Sequence, residues 1–154
     1  MDEINTAVKN LANTNLEYKF EVTKSKTATS LGNYITFVTI TDQEIELSDW
    51  IVIVCGLDGS DWASVTACMN ILNSPKSYGF PQKSSETFLS SVNLLVIPVA
   101  NPDGYEYSFT TDRLWSKNRS PTSNPICAGV NLEENFNYNW CQDQNLKYIY
   151  TYHQ

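Results

Sequence analysis

Two short apolar runs with a helical pattern between them limit the possible folds of this chain more than any other feature. Residues 51–55 read Ile-Val-Ile-Val-Cys and stop at Gly56; residues 94–99 read Leu-Leu-Val-Ile-Pro-Val and lead into Asn101-Pro102-Asp103-Gly104. Near-continuous apolar runs of this length predict strands buried on both faces. Between them, residues 62–72 carry Val65, Met69 and Leu72 at helical spacing and are closed by Asn73 and Pro75. The order strand, helix, strand predicts adjacent interior strands of one sheet with the helix packed on one face.

The flanking segments extend this pattern. Residues 3–11 place Ile4, Val8 and Leu11 at helical spacing, and the alternation at Tyr18, Phe20, Val22 and then at Tyr34, Thr36, Val38, Ile40 reads as two strands. Gly32-Asn33 is the natural turn into the second of them. Residues 74–86, rich in Ser, Pro and Lys, read as loop, 105–145 as mostly irregular, and 147–152 as a last short strand. The expected fold is α/β, a mixed, mostly parallel sheet with helices on both faces. With 154 residues and neither repeat nor linker, the whole of 1–154 reads as one domain.

Charge and composition exclude some partners. Ten Lys and Arg against 17 Asp and Glu leave a net charge of −7, which opposes nucleic acid and anionic membrane surfaces. No apolar run approaches the ~20 residues of a bilayer span. The opening Met1-Asp2-Glu3 lacks the basic start of a signal peptide. The four cysteines, Cys55, Cys68, Cys127 and Cys141, contain no Cys-x-x-Cys pair, which argues against a zinc ribbon or a thioredoxin-type site. Cys55 ends an apolar run and Cys68 lies in a helical pattern, so both read as core residues rather than reactive thiols. Cys127 and Cys141 flank a polar loop; a bridge between them would close it and imply an oxidising compartment. The sequon Asn118-Arg119-Ser120 agrees weakly with that compartment.

Sites in open α/β sheets collect on loops beyond the carboxyl ends of the strands. Two loops qualify, 56–62 and 101–105. Asp58 and Asp61 stand three apart at the strand-to-helix turn. They read either as a pair converging on one cation, or as a turn residue and the N-cap of the helix that opens at Trp62. Spacing alone favours the second reading.

The run Ile51-Val52-Ile53-Val54-Cys55-Gly56 into an acidic loop and Trp62, followed by Leu95-Val96-Ile97-Pro98-Val99-Ala100-Asn101-Pro102-Asp103-Gly104-Tyr105, resembles the zinc metallocarboxypeptidases of the pancreatic carboxypeptidase A and B type. The likeness continues through Arg113-Leu114-Trp115-Ser116-Lys117-Asn118-Arg119-Ser120, then Ala128-Gly129-Val130, Asn135-Phe136 and Trp140-Cys141, and it covers essentially the whole chain. It implies a carboxypeptidase-like catalytic domain lacking its C-terminal half. It implies secretion, a Cys127–Cys141 bridge, and peptide or protein C-termini as partners. The family reaction releases one C-terminal residue. Zinc, held by a His-x-x-Glu pair and a distant His, activates water and polarises the carbonyl. A glutamate acts as base, arginines hold the carbonyl oxygen and the terminal carboxylate, and a tyrosine closes the pocket.

At these family positions the chain differs. Asp58 and Asp61 stand at the first two metal positions, Ser116 at the carbonyl-polarising arginine, and Glu133-Glu134 at the carboxylate-clamping Asn-Arg pair. His153 reads either as the third ligand position or as a tail residue. The chain stops before the segments that would carry the base and the closing tyrosine. Two unit charges about 4 Å apart at an effective dielectric near 20 interact by ~4 kcal/mol, so reversing the clamp turns an attraction of that size into a repulsion. The expectation is a carboxypeptidase-like protein without turnover and with weak or absent zinc. The alternatives are a peptide- or cation-binding pseudoenzyme module and a non-functional gene-product fragment.

Overall fold

In a computed structural model, residues 1–14, 18–43, 46–73, 92–123 and 127–137 are described. The alternating segments pair first. β1 (Lys19–Lys24) and β2 (Thr36–Thr41) run antiparallel, with Phe20 opposite Ile40 and Val22 opposite Val38. β2 also runs antiparallel to β4 (Asn93–Ile97), setting Val38 against Val96 and Ile40 against Leu94. β3 (Trp50–Val54) lies parallel to β4, with Ile51 beside Leu94 and Ile53 beside Val96. The sheet order is β1-β2-β4-β3.

Because side chains alternate along a strand, these registers gather Phe20, Val22, Val38, Ile40, Ile53, Leu94 and Val96 on one face. That face carries the core, joined by Val8, Ile4 and Leu11 of α1 (Asp2–Thr14) and by Cys68, Met69 and Leu72 of α2 (Trp62–Asn73). Asp2 and Glu3 in the first turn of α1 oppose its positive end.

The α/β class and the mixed sheet are as the sequence predicts, and the two apolar runs are adjacent strands. Three details differ. Two of the three described pairings are antiparallel and one is parallel. Only β3–α2–β4 is a crossover connection of the kind a parallel pair requires. Second, α1 and α2 share one hydrophobic cluster on the same face, and among the described residues no helix covers the other. Consequently β3 is not buried on both faces: Trp50, Val52 and Val54 are 49%, 56% and 48% exposed, and no described strand pairs with its outer edge. Third, part of the stretch expected to be irregular forms α3 (Pro102–Thr110). Asn101 caps it, Pro102 occupies its first turn and Asp103 faces its positive end.

Cys55 and Cys68 are core residues, as expected, and they are also bonded to each other, with Cα atoms 6.3 Å apart. The bridge ties the residue after β3 to the middle of α2. Closing a loop of 13 residues' separation stabilises the fold by about 3 kcal/mol in the chain-entropy account.

Candidate functional site

The loop from β3 to α2 is built around Gly56. Its φ is +61°, and a Cβ there would lie 2.8 Å from Val65 Cγ2 and 3.3 Å from the Val99 Cα, so glycine is required. Its N–H donates to Ser64 Oγ (3.0 Å) and its carbonyl accepts the Asn101 N–H (2.8 Å). Asn101 is buried and binds three segments together. Its Nδ2 donates to the carbonyls of Leu57 (3.1 Å) and Lys117 (3.2 Å) and lies 3.4 Å from that of Ser116; its Oδ1 accepts the Gly104 N–H (3.0 Å). Gly59 completes the junction by donating to the Ser116 carbonyl at 2.9 Å. A Cβ on Gly59 would approach the Gly104 carbonyl carbon to 2.6 Å and Trp115 O to 2.8 Å. Backbone therefore meets backbone, and Asp58, Asp61 and Ser116 fall in one loop cluster.

Within it, each aspartate is engaged locally. Asp58 Oδ1 accepts both the N–H (2.6 Å) and the hydroxyl (2.7 Å) of Ser60. Asp61 Oδ1 accepts the Ser64 N–H at 3.0 Å, and Ser64 Oγ donates back to the Asp61 carbonyl at 3.1 Å. These are an Asx turn and an N-cap, the second of the two readings offered by spacing. Zinc does not fit these residues as they stand. The bonded oxygens face Ser60 and Ser64, and among the described residues no three His, Cys, Asp or Glu side chains group so as to hold a metal ion. His153 lies outside the described residues.

Ser116 is half-buried and puts no charge beside the loop. Glu133 and Glu134 are exposed. They follow a segment fastened to the residues after Ser116: Asn118 N–H donates to Val130 O (3.0 Å) and Val130 N–H to Asn118 Oδ1 (2.8 Å). Asn131 Oδ1 then accepts the Glu133 N–H at 3.2 Å. The sequon asparagine is thus part of the fold, since its Nδ2 also donates to Ser120 Oγ at 3.0 Å. Cys127 is exposed and bridges no described residue; Cys141 lies outside them.

Two residues at this site, Arg113 and Asp103, make contacts that the sequence does not signal. Arg113 lies 3.7 Å over the Trp62 ring and donates to the Ser60 carbonyl at 2.9 Å. Trp62 in turn stacks on Phe109 at 3.9 Å and donates Nε1–H to Ser108 Oγ at 2.8 Å. This makes Arg113 a cation bonded directly to the acidic loop. Asp103, 2% exposed, accepts from Thr29 Oγ1 (2.6 Å), Leu31 N–H (3.1 Å) and Asn33 Nδ2 (3.0 Å). Neither contact is signalled by local spacing, because the partners lie 53 and at least 70 residues apart. Two residues further along α3, burial pushes the Tyr105 phenol up from its ordinary pKa.

Comparison with known proteins gives the family and the fold. The zinc carboxypeptidase family profile matches residues 8–151. The inactive metallocarboxypeptidase ECM14 of Saccharomyces cerevisiae is 41% identical over 91 residues, covering 58% of this chain and 21% of that protein. Human carboxypeptidase O is 38% identical over 87 residues, 56% of this chain and 23% of that protein. The aligned part thus spans less than a quarter of each of these relatives. Thrombin activatable fibrinolysis inhibitor superposes with a TM-score of 0.77 at 24% identity, over 91% of this chain and 35% of that one. Carboxypeptidase A of Helicoverpa armigera gives 0.76 at 23%, over 92% and 34%. At these identities the superpositions establish the fold, a carboxypeptidase fold of which this chain spans about a third. Matched along almost its full length, the chain belongs to the zinc carboxypeptidase family.

Proposed function

We propose that this chain is a non-catalytic carboxypeptidase-like module, one that keeps a peptide-facing loop cluster but does not release C-terminal residues. The observation that carries this reading is the charge at the family's substrate positions. Ser116 is neutral, and Glu133 and Glu134 are exposed carboxylates at the position of the clamp. Glu134 reverses the charge of the clamping arginine and Glu133 replaces a neutral amide, so attraction of a terminal carboxylate becomes repulsion, kept by exposure to water well below the ~4 kcal/mol of a close pair at an effective dielectric near 20. Loss of one oxyanion-stabilising donor alone typically costs about a hundredfold or more in rate. The printed name of the S. cerevisiae relative, an inactive metallocarboxypeptidase, supports the reading.

Peptides and proteins remain the partner class, met through backbone and side chains rather than through the terminal carboxylate. Zinc, the family metal, binds weakly or not at all at Asp58, Asp61 and His153. The Cys55–Cys68 bridge supports an oxidising, secretory compartment, where Cys127 and Cys141 form a second bridge.

The test uses labelled peptides that differ only in a C-terminal carboxylate or amide. The amide form binds equally or more tightly, and Glu133→Asn with Glu134→Arg shifts preference toward the carboxylate at least tenfold. A tenfold carboxylate preference in the unaltered chain, or no peptide binding at all, contradicts the reading.

A further inference from the structure

We propose that Asp58 and Asp61 close the strand-to-helix loop as a turn and a cap, in place of a metal rather than as ligands to one. The inference deepens the non-catalytic reading, on which it rests for the significance of these two positions. A metal pair must present lone pairs to a shared point. Here Asp58 Oδ1 takes two donors from Ser60, and Asp61 Oδ1 takes the Ser64 N–H at the start of α2. With one oxygen of each so engaged, a shared ion would have at most the two Oδ2 atoms, and among the described residues no third His, Cys, Asp or Glu side chain joins them, short of the three protein ligands a zinc site needs.

The rest of the loop is held just as firmly without an ion. Gly56 bonds Ser64 and Asn101, Gly59 bonds Ser116, Arg113 bonds Ser60, and the Cys55–Cys68 bridge fixes the base of the loop to α2. The aspartate side chain suits this use. It is short enough to reach the N–H two or three residues ahead, which is why Asp favours turns and N-caps. The geometry of this loop is therefore held without a divalent metal.

The experiment uses the full chain and reads both zinc retention after dialysis and Tm. Four variants are compared: Asp58→Ala and Asp61→Ala, which remove the acceptors, and Asp58→Asn and Asp61→Ser, which keep a turn or cap acceptor with little affinity for zinc. Asp61→Ala is expected to lower Tm by about 2–4 °C, with or without chelator. Asp58→Asn and Asp61→Ser stay close to the parent. Zinc is either not retained, or retained equally by the parent and by the Asp58→Asn/Asp61→Ser double variant, which locates it elsewhere. Stoichiometric zinc in the parent that is lost in the double variant overturns the assignment, as do alanine variants as stable as the parent. Turnover is scored separately. Zinc held tightly by the two aspartates without turnover overturns this inference and, with it, the expected weak zinc binding, and leaves the non-catalytic reading standing; turnover with zinc held elsewhere overturns only the non-catalytic reading.

Discussion

Asp103 ties the start of α3 to the turn at residues 29–33 through three donors, and it is almost fully buried. Removing a buried acceptor strands its donors, and stranded donors cost more than the hydrogen bonds themselves contribute. Asp103→Ala should therefore lower stability by about 3 kcal/mol, with Asp103→Asn losing less, as read from urea unfolding. A loss under about 1 kcal/mol for the alanine variant would mean that water replaces the carboxylate at little cost. Residues of this kind divide by the reach of their partners. The roles of Asp58 and Asp61 were legible because their donors lie two and three residues ahead. Those of Asp103 and Arg113 were not, since no local spacing points to a partner tens of residues away.

The two apolar runs look alike in sequence and differ in the sheet. β4 lies between β2 and β3, whereas β3 has a described neighbour on one side only. Periodicity reports that a strand exists, but a strand's place in the sheet depends on what packs beside it. Val96 is 0% exposed and Val52 is 56% exposed. Val96→Ala should thus cost about 2 kcal/mol and Val52→Ala under about 0.5 kcal/mol. Equal costs in chemical denaturation would contradict the assignment of β3 as the edge of the described sheet. α3 was hidden for a different reason. Asn101-Pro102-Asp103-Gly104 reads as a turn, yet an Asn cap, a Pro at the first helical position and an early Asp are also the signs of a helix start. The Cys55–Cys68 pairing could not be read at all, because four cysteines allow three connectivities and spacing does not choose among them.

At the scale of the whole molecule, the proposed function has the fold kept and the family chemistry lost. Core and turn residues such as Ile40, Val96, Gly56 and Asn101 hold the family's architecture. The positions that the resemblance assigns to metal and substrate carry a turn, a cap, a half-buried serine and two exposed glutamates. The fold depends on burial and backbone bonding, which those substitutions leave intact; catalysis depends on several charges acting together. The measurement that tests this separation most directly is mass spectrometry of peptides ending in aliphatic, aromatic and basic residues after incubation with the purified chain and excess zinc. The account predicts that every peptide keeps its C-terminal residue. Loss of that residue, abolished by a chelator and by Asp61→Ala, would show a working zinc carboxypeptidase.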